Sequence, residues 1–287
     1  MYIKSPLSHR GQEPENSVLY LVGTPIGNLD DISSRALNIL KNVSLIACED
    51  TRQTNKILNK FAIKNSLLSF NKYNSQKKIP KLISDLKSGK SIALVSDAGM
   101  PGICDPGEDL VRSAKKSRIE IICIPGPCAA ITALVTSGLP SSNFIFEGFL
   151  PKKKKDREKS ILEISKSTKT TILYESPHRL IKLLNELKEF CGKDRELQVS
   201  RELTKRYEEN IRSNIGDILK YFESREIIGE FTIILNGLNE QKQSKYDPVS
   251  IKKDLNELID AGLSLPAASK YLAKKKNLTK NEIYNLY

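Results

Sequence analysis

Ile92-Ala93-Leu94-Val95 runs directly into Ser96-Asp97-Ala98-Gly99-Met100-Pro101-Gly102-Ile103-Cys104-Asp105-Pro106-Gly107 and then into Glu108-Asp109-Leu110-Val111. The first four residues form an uninterrupted apolar run, which reads as a strand covered on both faces. Asp105, Pro106 and Glu108 supply an N-cap, a first-turn proline and a reciprocal acid, so a helix opens there with Leu110, Val111 and Ala114 on one face. The twelve residues from Ser96 to Gly107 hold three glycines, two prolines and two aspartates. Ordinary strand-to-helix connections take about 2–6 residues, so this stiff, long loop reads as one that brings backbone against a ligand, in preference to the alternative of a plain strand-to-helix connection.

The same alternation extends in both directions. Apolar runs at Val18–Val22, Val43–Cys48 and Glu120–Ile124 read as further strands, joined by helix-period segments into a mostly parallel α/β lobe. Asp50 and Gln53 cap a helix carrying Ile57, Leu58 and Phe61. Gly126-Pro127 opens another, with Ile131, Leu134 and Val135 expected as its buried stripe and Gly138 as its stop. After Gly138-Leu139-Pro140 a second set begins: Phe144–Phe149, Thr171–Tyr174, Leu197–Ser200 and Phe231–Leu235 are expected strands. Ser176 is expected to cap a helix that buries Leu180, Leu183, Leu184 and Leu187.

Beyond Gly237 the chain turns polar, then helical. Leu255, Leu258 and Ile259 form one stripe, Ala268, Tyr271 and Leu272 another, and Thr279 with Glu282 a capping box. The expected organisation is a flexible extension over 1–16, an α/β lobe over 17–139, a second over 140–238, and a helix-turn-helix-like domain over 246–287.

Lys plus Arg number 46 and Asp plus Glu 34, a net charge of +12 that suits a polyanionic partner. The five cysteines show no C-x-x-C spacing and there are two histidines, which argues against a disulfide framework and against a metal centre. Without an apolar leader near the start or a membrane-length apolar run, the expectation is a cytoplasmic protein that does not engage a membrane.

Four polar loops fall at expected strand ends, where open α/β sheets bind ligands. Gly23-Thr24-Pro25-Ile26-Gly27-Asn28-Leu29-Asp30-Asp31 is neither a dinucleotide fingerprint nor a phosphate-binding Walker loop, because the glycine spacing is wrong and Pro25 lacks an amide hydrogen. The Ser96–Gly107 loop is the second, Pro125-Gly126-Pro127-Cys128-Ala129-Ala130 the third and Ala47-Cys48-Glu49-Asp50-Thr51-Arg52 the fourth. Asp50 reads as a cap, leaving Glu49 and Arg52 freer for function.

The strings GTPIGNLDD, CEDTR, SDAGMPGICDPG, PGPCAA, FEGFLP and YESPHRL, in that order, resemble the ribosomal RNA small-subunit methyltransferase I family, a branch of the tetrapyrrole methylase superfamily. The likeness runs from about Leu19 to Gly237, and the helical tail is similar to a C-terminal domain of many members. It implies two α/β lobes with S-adenosylmethionine in the cleft between them and no metal. It also implies a homodimer, and as substrate a cytidine ribose 2′-hydroxyl in the decoding region of 16S ribosomal RNA within the small subunit. By this resemblance Pro25, Asp97, Ala98, Gly99, Met100, Ile103, Pro125 and Ala129 contact the cofactor, with Tyr174, Leu203, Gly229 and Glu230 closing over it from the second lobe. Cys104 stands where the family pattern leads us to expect serine.

Methyl transfer from a sulfonium is an in-line displacement that needs positioning and a proton acceptor for the hydroxyl. Glu49 is the first candidate for that acceptor, with Glu175 and Glu202 behind it; the alternative is that these acids bind the cofactor ribose or pair with Arg52, Arg179 and Arg201. Lys152, Lys153, Lys154, Lys155 and Arg157, with Arg52, are the candidate RNA contacts, and Lys274–Lys276 in the tail are a possible second grip. Two rival readings are methylation of a tetrapyrrole or other small acid on the same fold, and a helix-turn-helix regulator with an α/β sensor body.

Overall fold

The structure, a computed structural model, describes residues 13–105, 107–238, 248–276, 280–284 and 287. Two compact units are present, Met1–Gly237 and Leu238–Tyr287.

The first unit contains two five-stranded sheets. In the first, β1 (Val18–Val22), β2 (Leu45–Cys48), β3 (Leu67–Ser69), β4 (Ile92–Val95) and β5 (Glu120–Ile124) run parallel in the order β3-β2-β4-β1-β5. Strand alternation divides the core into two layers. Val18, Tyr20 and Val22 face one side with Ala36, Ile39 and Leu40 of α1 (Ser34–Asn42) and with Ile57 and Leu58 of α2 (Thr51–Lys60). Leu19 faces the other with Leu82 and Leu86 of α3 (Ser75–Lys87) and Leu110 and Ala114 of α4 (Gly107–Lys116). Both faces of the inner strands β1, β2 and β4 are therefore dry, which is why these three read as unbroken apolar runs.

α5 (Ala129–Ser137) departs from its expected stripe. It buries Ala130, Ala133, Leu134 and Ser137, while Ile131 and Val135 stand 45% and 68% exposed. The small side chains let the helix lie close to the second sheet, where it shares a core with Ile172 and Ile234. A helix assigned by sequence to the first lobe thus packs on the second.

The second sheet is mixed, not parallel: β6 (Phe144–Phe149), β7 (Thr170–Glu175), β8 (Glu196–Arg201), β9 (Glu209–Asn214) and β10 (Phe231–Leu235) lie in the order β6-β7-β10-β8-β9, parallel between β6 and β7 alone. α6 (Lys154–Lys166), α7 (Leu180–Cys191) and α8 (Ile215–Glu223) cover the face opposite α5. The expected leucine stripe of α7 is buried as read. Ser176 does not cap it, because its hydroxyl accepts instead from Arg179 Nε at 3.3 Å.

The end of the expected loose extension is pinned: Glu13 is paired with Arg35 at 2.6 Å and its carbonyl accepts from Asn38. Residues 1–12 lie outside the described residues.

The second unit packs α9 (Pro248–Asp260), α10 (Leu265–Lys276) and α11 (Lys280–Tyr284) around Ile251, Leu255, Ala268, Leu272 and Ile283. Tyr271, expected in the stripe, is exposed. Thr279 lies outside the described residues, as do the side chains of Glu282 and Lys276.

Candidate active site

Parallel strands end together, so the loops after β1, β2, β4 and β5 gather at one edge of the first sheet. Two backbone bonds tie the first to the third, Thr24 N to Gly99 O at 2.9 Å and Gly99 N to Thr24 O at 3.1 Å. Gly23 meets Gly126 so closely that a Cβ on Gly23 would lie 2.7 Å from the Gly126 Cα. Glycine is needed at both for the β1 and β5 loops to share the space.

Against this edge stands the second lobe, and between them lies a cavity of about 450 Å³. From the first lobe it is lined by Ile26, Glu49, the stretch Ser96–Met100, Ile103, Cys104, Asp105, Cys128 and Ala129. The second contributes Phe149, Tyr174–Pro177, Leu203 and Gly229–Thr232. A direct clasp joins the two walls, with Asn28 N donating to Thr204 Oγ1 at 3.0 Å. Leu203 sits between Glu202 and Thr204, both held at positive φ, 52° and 66°. Non-glycine residues adopt that region rarely, and their clustering beside a cavity is usual at ligand sites.

The acidic end of the cavity is a reciprocal arrangement. Asp97 Oδ1 accepts from Asp50 N at 2.9 Å, and the Glu49 carboxylate accepts from the Asp97 amide. Partial burial first, then the charges of Asp97 and Asp105, raise the Glu49 proton affinity above its ordinary value. Burial likewise raises Asp97. Asp105 ties its loop into α4, accepting through Oδ1 from Gly102 N at 2.6 Å and Gly107 N at 2.9 Å. Its Oδ2 is buried with no hydrogen-bond partner. Pro106, the expected first-turn proline, lies outside the described residues. At the other wall the Tyr174 hydroxyl accepts from Ala130 N at 3.1 Å, and burial pushes its pKa up to about 12.

Of the residues named from sequence, Glu49, Asp97, Ala98, Gly99, Met100, Ile103, Ala129, Tyr174, Glu175, Leu203, Gly229 and Glu230 line this cavity. Pro25 and Pro125 do not; Ile26 and Cys128 take the wall in their place. Two of the three base candidates are otherwise engaged. Glu175 is fully buried and held by Arg179 Nη2 at 2.6 Å, Arg157 Nη2 at 3.3 Å and Ser176 N at 2.9 Å. Glu202 lies beneath Gly229, accepting from Lys205 Nζ at 2.8 Å and Glu230 N at 3.0 Å. Burial opposes its charge, but those two donors prevail and hold its carboxyl below the usual range.

The RNA candidates also divide. Lys152–Lys155 are exposed. Arg157 is 3% exposed and spent on Glu186 and Glu175, so it cannot touch a phosphate. Arg52 is exposed but closes back on Asp50 at 2.6 Å. Among the wall residues that sequence reading missed are Cys128, Phe149, Pro177 and Thr232. The first three lie inside the motif strings, and Thr232 is a polar residue in an apolar strand.

Residues 18–219 match the family model of tetrapyrrole (corrin/porphyrin) methylases. A ribosomal RNA small subunit methyltransferase I from Bacillus subtilis is 39% identical over 99% of this chain and 98% of its own length. One from Halalkalibacterium halodurans is 43% identical over 96% of each. The chain belongs to the ribosomal RNA small subunit methyltransferase I family. A Thermotoga maritima member is 46% identical over 98% of its own length but 76% of this chain, so members shorter than this chain exist. Among solved structures, a cobalt precorrin-4 methyltransferase superposes with a TM-score of 0.60 over 77% of this chain and 95% of its own, at 17% identity. A uroporphyrin-III C-methyltransferase from Thermus thermophilus in complex with S-adenyl homocysteine gives 0.55 over 76% and 96%, at 14% identity. At those identities the likeness is one of fold.

Proposed function

We propose that this chain methylates the 2′-hydroxyl of a cytidine in 16S ribosomal RNA, using S-adenosylmethionine, with the small ribosomal subunit as its partner. The observation that carries the reading is the cavity walled by both lobes, with apolar sides and a carboxylate of raised proton affinity at one end.

S-adenosylmethionine fits these residues by size and by chemistry. Pockets for such ligands span about 300–1,000 Å³. Ile26, Met100, Ala129, Leu203 and Tyr174 offer apolar walls for an adenine ring, while Asp97 and Glu49 offer acceptors for hydroxyls, amine and positive charge. When bound, it supplies an electrophilic methyl on a positively charged sulfur. The chain's own work is then positioning and proton removal. Glu49 is the proton acceptor for the hydroxyl, since its rivals Glu175 and Glu202 are tied up in ion pairs. Asp97 holds the loop amide of Asp50 and so fixes where Glu49 stands.

Lys152–Lys155 supply positive charge to grip phosphate, which favours RNA over a small acid as substrate. The same reading includes a cytoplasmic location and a homodimer, the latter supported by the uncovered Ile131 and Val135 on α5. No helix among the described residues is long and apolar enough to cross a membrane. Light scattering of the purified protein reads the oligomer. Incubation with labelled S-adenosylmethionine and small subunits from cells lacking the enzyme, followed by nucleoside mapping, should place label on a cytidine ribose. Label on a base atom would reject the 2′-O assignment.

A further inference from the structure

Residues three apart on a regular strand face opposite sides of the sheet. Phe146 and Phe149 are three apart on β6, yet both contact the same ring: Phe146 packs edge-on to Tyr174 at 5.2 Å between centroids, and Phe149 tilts against it at 5.6 Å. The cause is a β-bulge. Phe146 pairs with Ile172 and Gly148 with Leu173, leaving Glu147 as the extra residue and bringing Phe149 round to the face that Phe146 already occupies. Gly148 takes φ of 62°, and a Cβ there would lie 2.8 Å from Cys104 Sγ, so the bulge is seated against the long loop of the first lobe. Phe149 is 53% exposed while lining the cavity. Ile103 of the first lobe lines the same cavity and is 47% exposed.

We propose that Phe149 is the stacking platform for the pyrimidine of the target nucleotide, with Ile103 as an apolar companion supplied by the first lobe; the proposal rests on the RNA-methylating reading above. A 2′-hydroxyl reaches an enclosed transfer centre when its nucleotide leaves the stack and enters the cavity from the open side. The extruded base then needs a flat apolar surface at the rim, and aromatic side chains are the usual provision. The neighbouring sequence fits that path, because the exposed Lys152 follows Phe149 by three residues and opens the run suited to the flanking phosphates. The platform is backed on one side by Tyr174, which is itself held by Phe146 and by the Ala130 amide.

The test compares wild type with Phe149→Ala, Phe149→Leu and Phe149→Tyr on small subunits lacking the modification, with S-adenosylhomocysteine affinity measured separately by calorimetry. Phe149→Ala and Phe149→Leu are expected to lower kcat/KM for subunits by roughly tenfold or more, the usual effect of losing one base-aromatic stack. They should also weaken filter binding of subunits in the presence of S-adenosylhomocysteine, whose own affinity stays within about twofold of wild type on this argument. Phe149→Tyr should restore both. Wild-type kinetics in Phe149→Ala would overturn the platform and leave the methylation reading intact. An equal loss of S-adenosylhomocysteine affinity would assign the ring to the cofactor and overturn it too. Wild-type enzyme placing no label in RNA would remove both.

Discussion

Arg157 turns away from the lysines that precede it and sets its guanidinium 3.3 Å from the Glu175 carboxylate, with both groups out of water. Its Nε reaches Glu186 at 2.7 Å, and Arg179 holds the other Glu175 oxygen. The arginine thus anchors the start of the basic helix α6 to the end of β7, where Tyr174, Glu175 and Ser176 line the cavity.

Arg157→Met should therefore act on stability. Removing one partner of a buried pair costs about 3–5 kcal/mol, and because Arg179 remains, the lower end, about 3, is expected. Urea unfolding reads it. A loss below about 1 kcal/mol would show that Arg179 alone satisfies Glu175.

Glu49 makes the pH dependence signed. Burial and the charges of Asp97 and Asp105 raise its folded value above the ordinary 4.5, so the folded enzyme holds this proton more tightly than the unfolded chain does. Its contribution to stability is present below 4.5 and is lost as pH rises through the raised value. The proton-acceptor role needs the ionised form, so kcat/KM should climb with unit slope over that same rise. Glu49→Gln should flatten the limb and lower kcat by about a hundredfold or more. An unchanged acid limb in the variant would move the proton acceptor elsewhere.

The sequence carries four of the five strands of the first lobe plainly, because a run such as Val18–Val22 with both faces buried leaves no room for a polar residue, whereas β3, three half-buried residues at the sheet edge, was not read. β9 was not legible: Glu209–Asn214 sits at a sheet edge, and Ile211 is its one apolar residue. The stripe of α5 was misread because Ile131 and Val135 have the right spacing, but close approach to a sheet selects alanine and serine. Arg157 was grouped with its basic neighbours by charge. Its spacing to Ile161 and Ile164, four and then three residues, already placed it on the buried face of α6. The loops of the cavity were legible as motifs, whereas the bulge that aims Phe149 had a single sign, a glycine inside a strand.

Gly23→Ala tests the crowding behind the cavity. The new Cβ would fall 2.7 Å from both the Gly126 Cα and the Met100 Sδ. One of these neighbours is backbone and cannot rotate away, so the loops after β1 and β5 must part. Overpacking of this kind costs about 1–3 kcal/mol. Because Met100 lines the cavity, S-adenosylmethionine affinity should fall along with the thermal midpoint. A variant that lost stability while binding the cofactor as wild type does would show that the loops part without disturbing the wall.

The lysines should act through salt, not through the fold. Lys152–Lys155 are exposed, and the one ion pair recorded for them among the described residues is the loose contact of Lys154 with Glu158 at 3.7 Å. Replacing all four with alanine removes no buried contact, so the unfolding midpoint should hold. Each lysine that displaces a counterion from a phosphate contributes about 0.7–0.9 to the slope of log affinity against log salt. The quadruple variant should thus bind small subunits more weakly at physiological salt and show a slope shallower by about 3 if every lysine meets a phosphate. Methylation should recover towards wild type as salt is lowered, since the reacting groups are untouched. Arg157→Lys serves as the control: its side chain is enclosed, so the slope should not move. Parallel salt dependences for the wild type and the quadruple variant would take the run out of the RNA path and return it to being a solvated helix start.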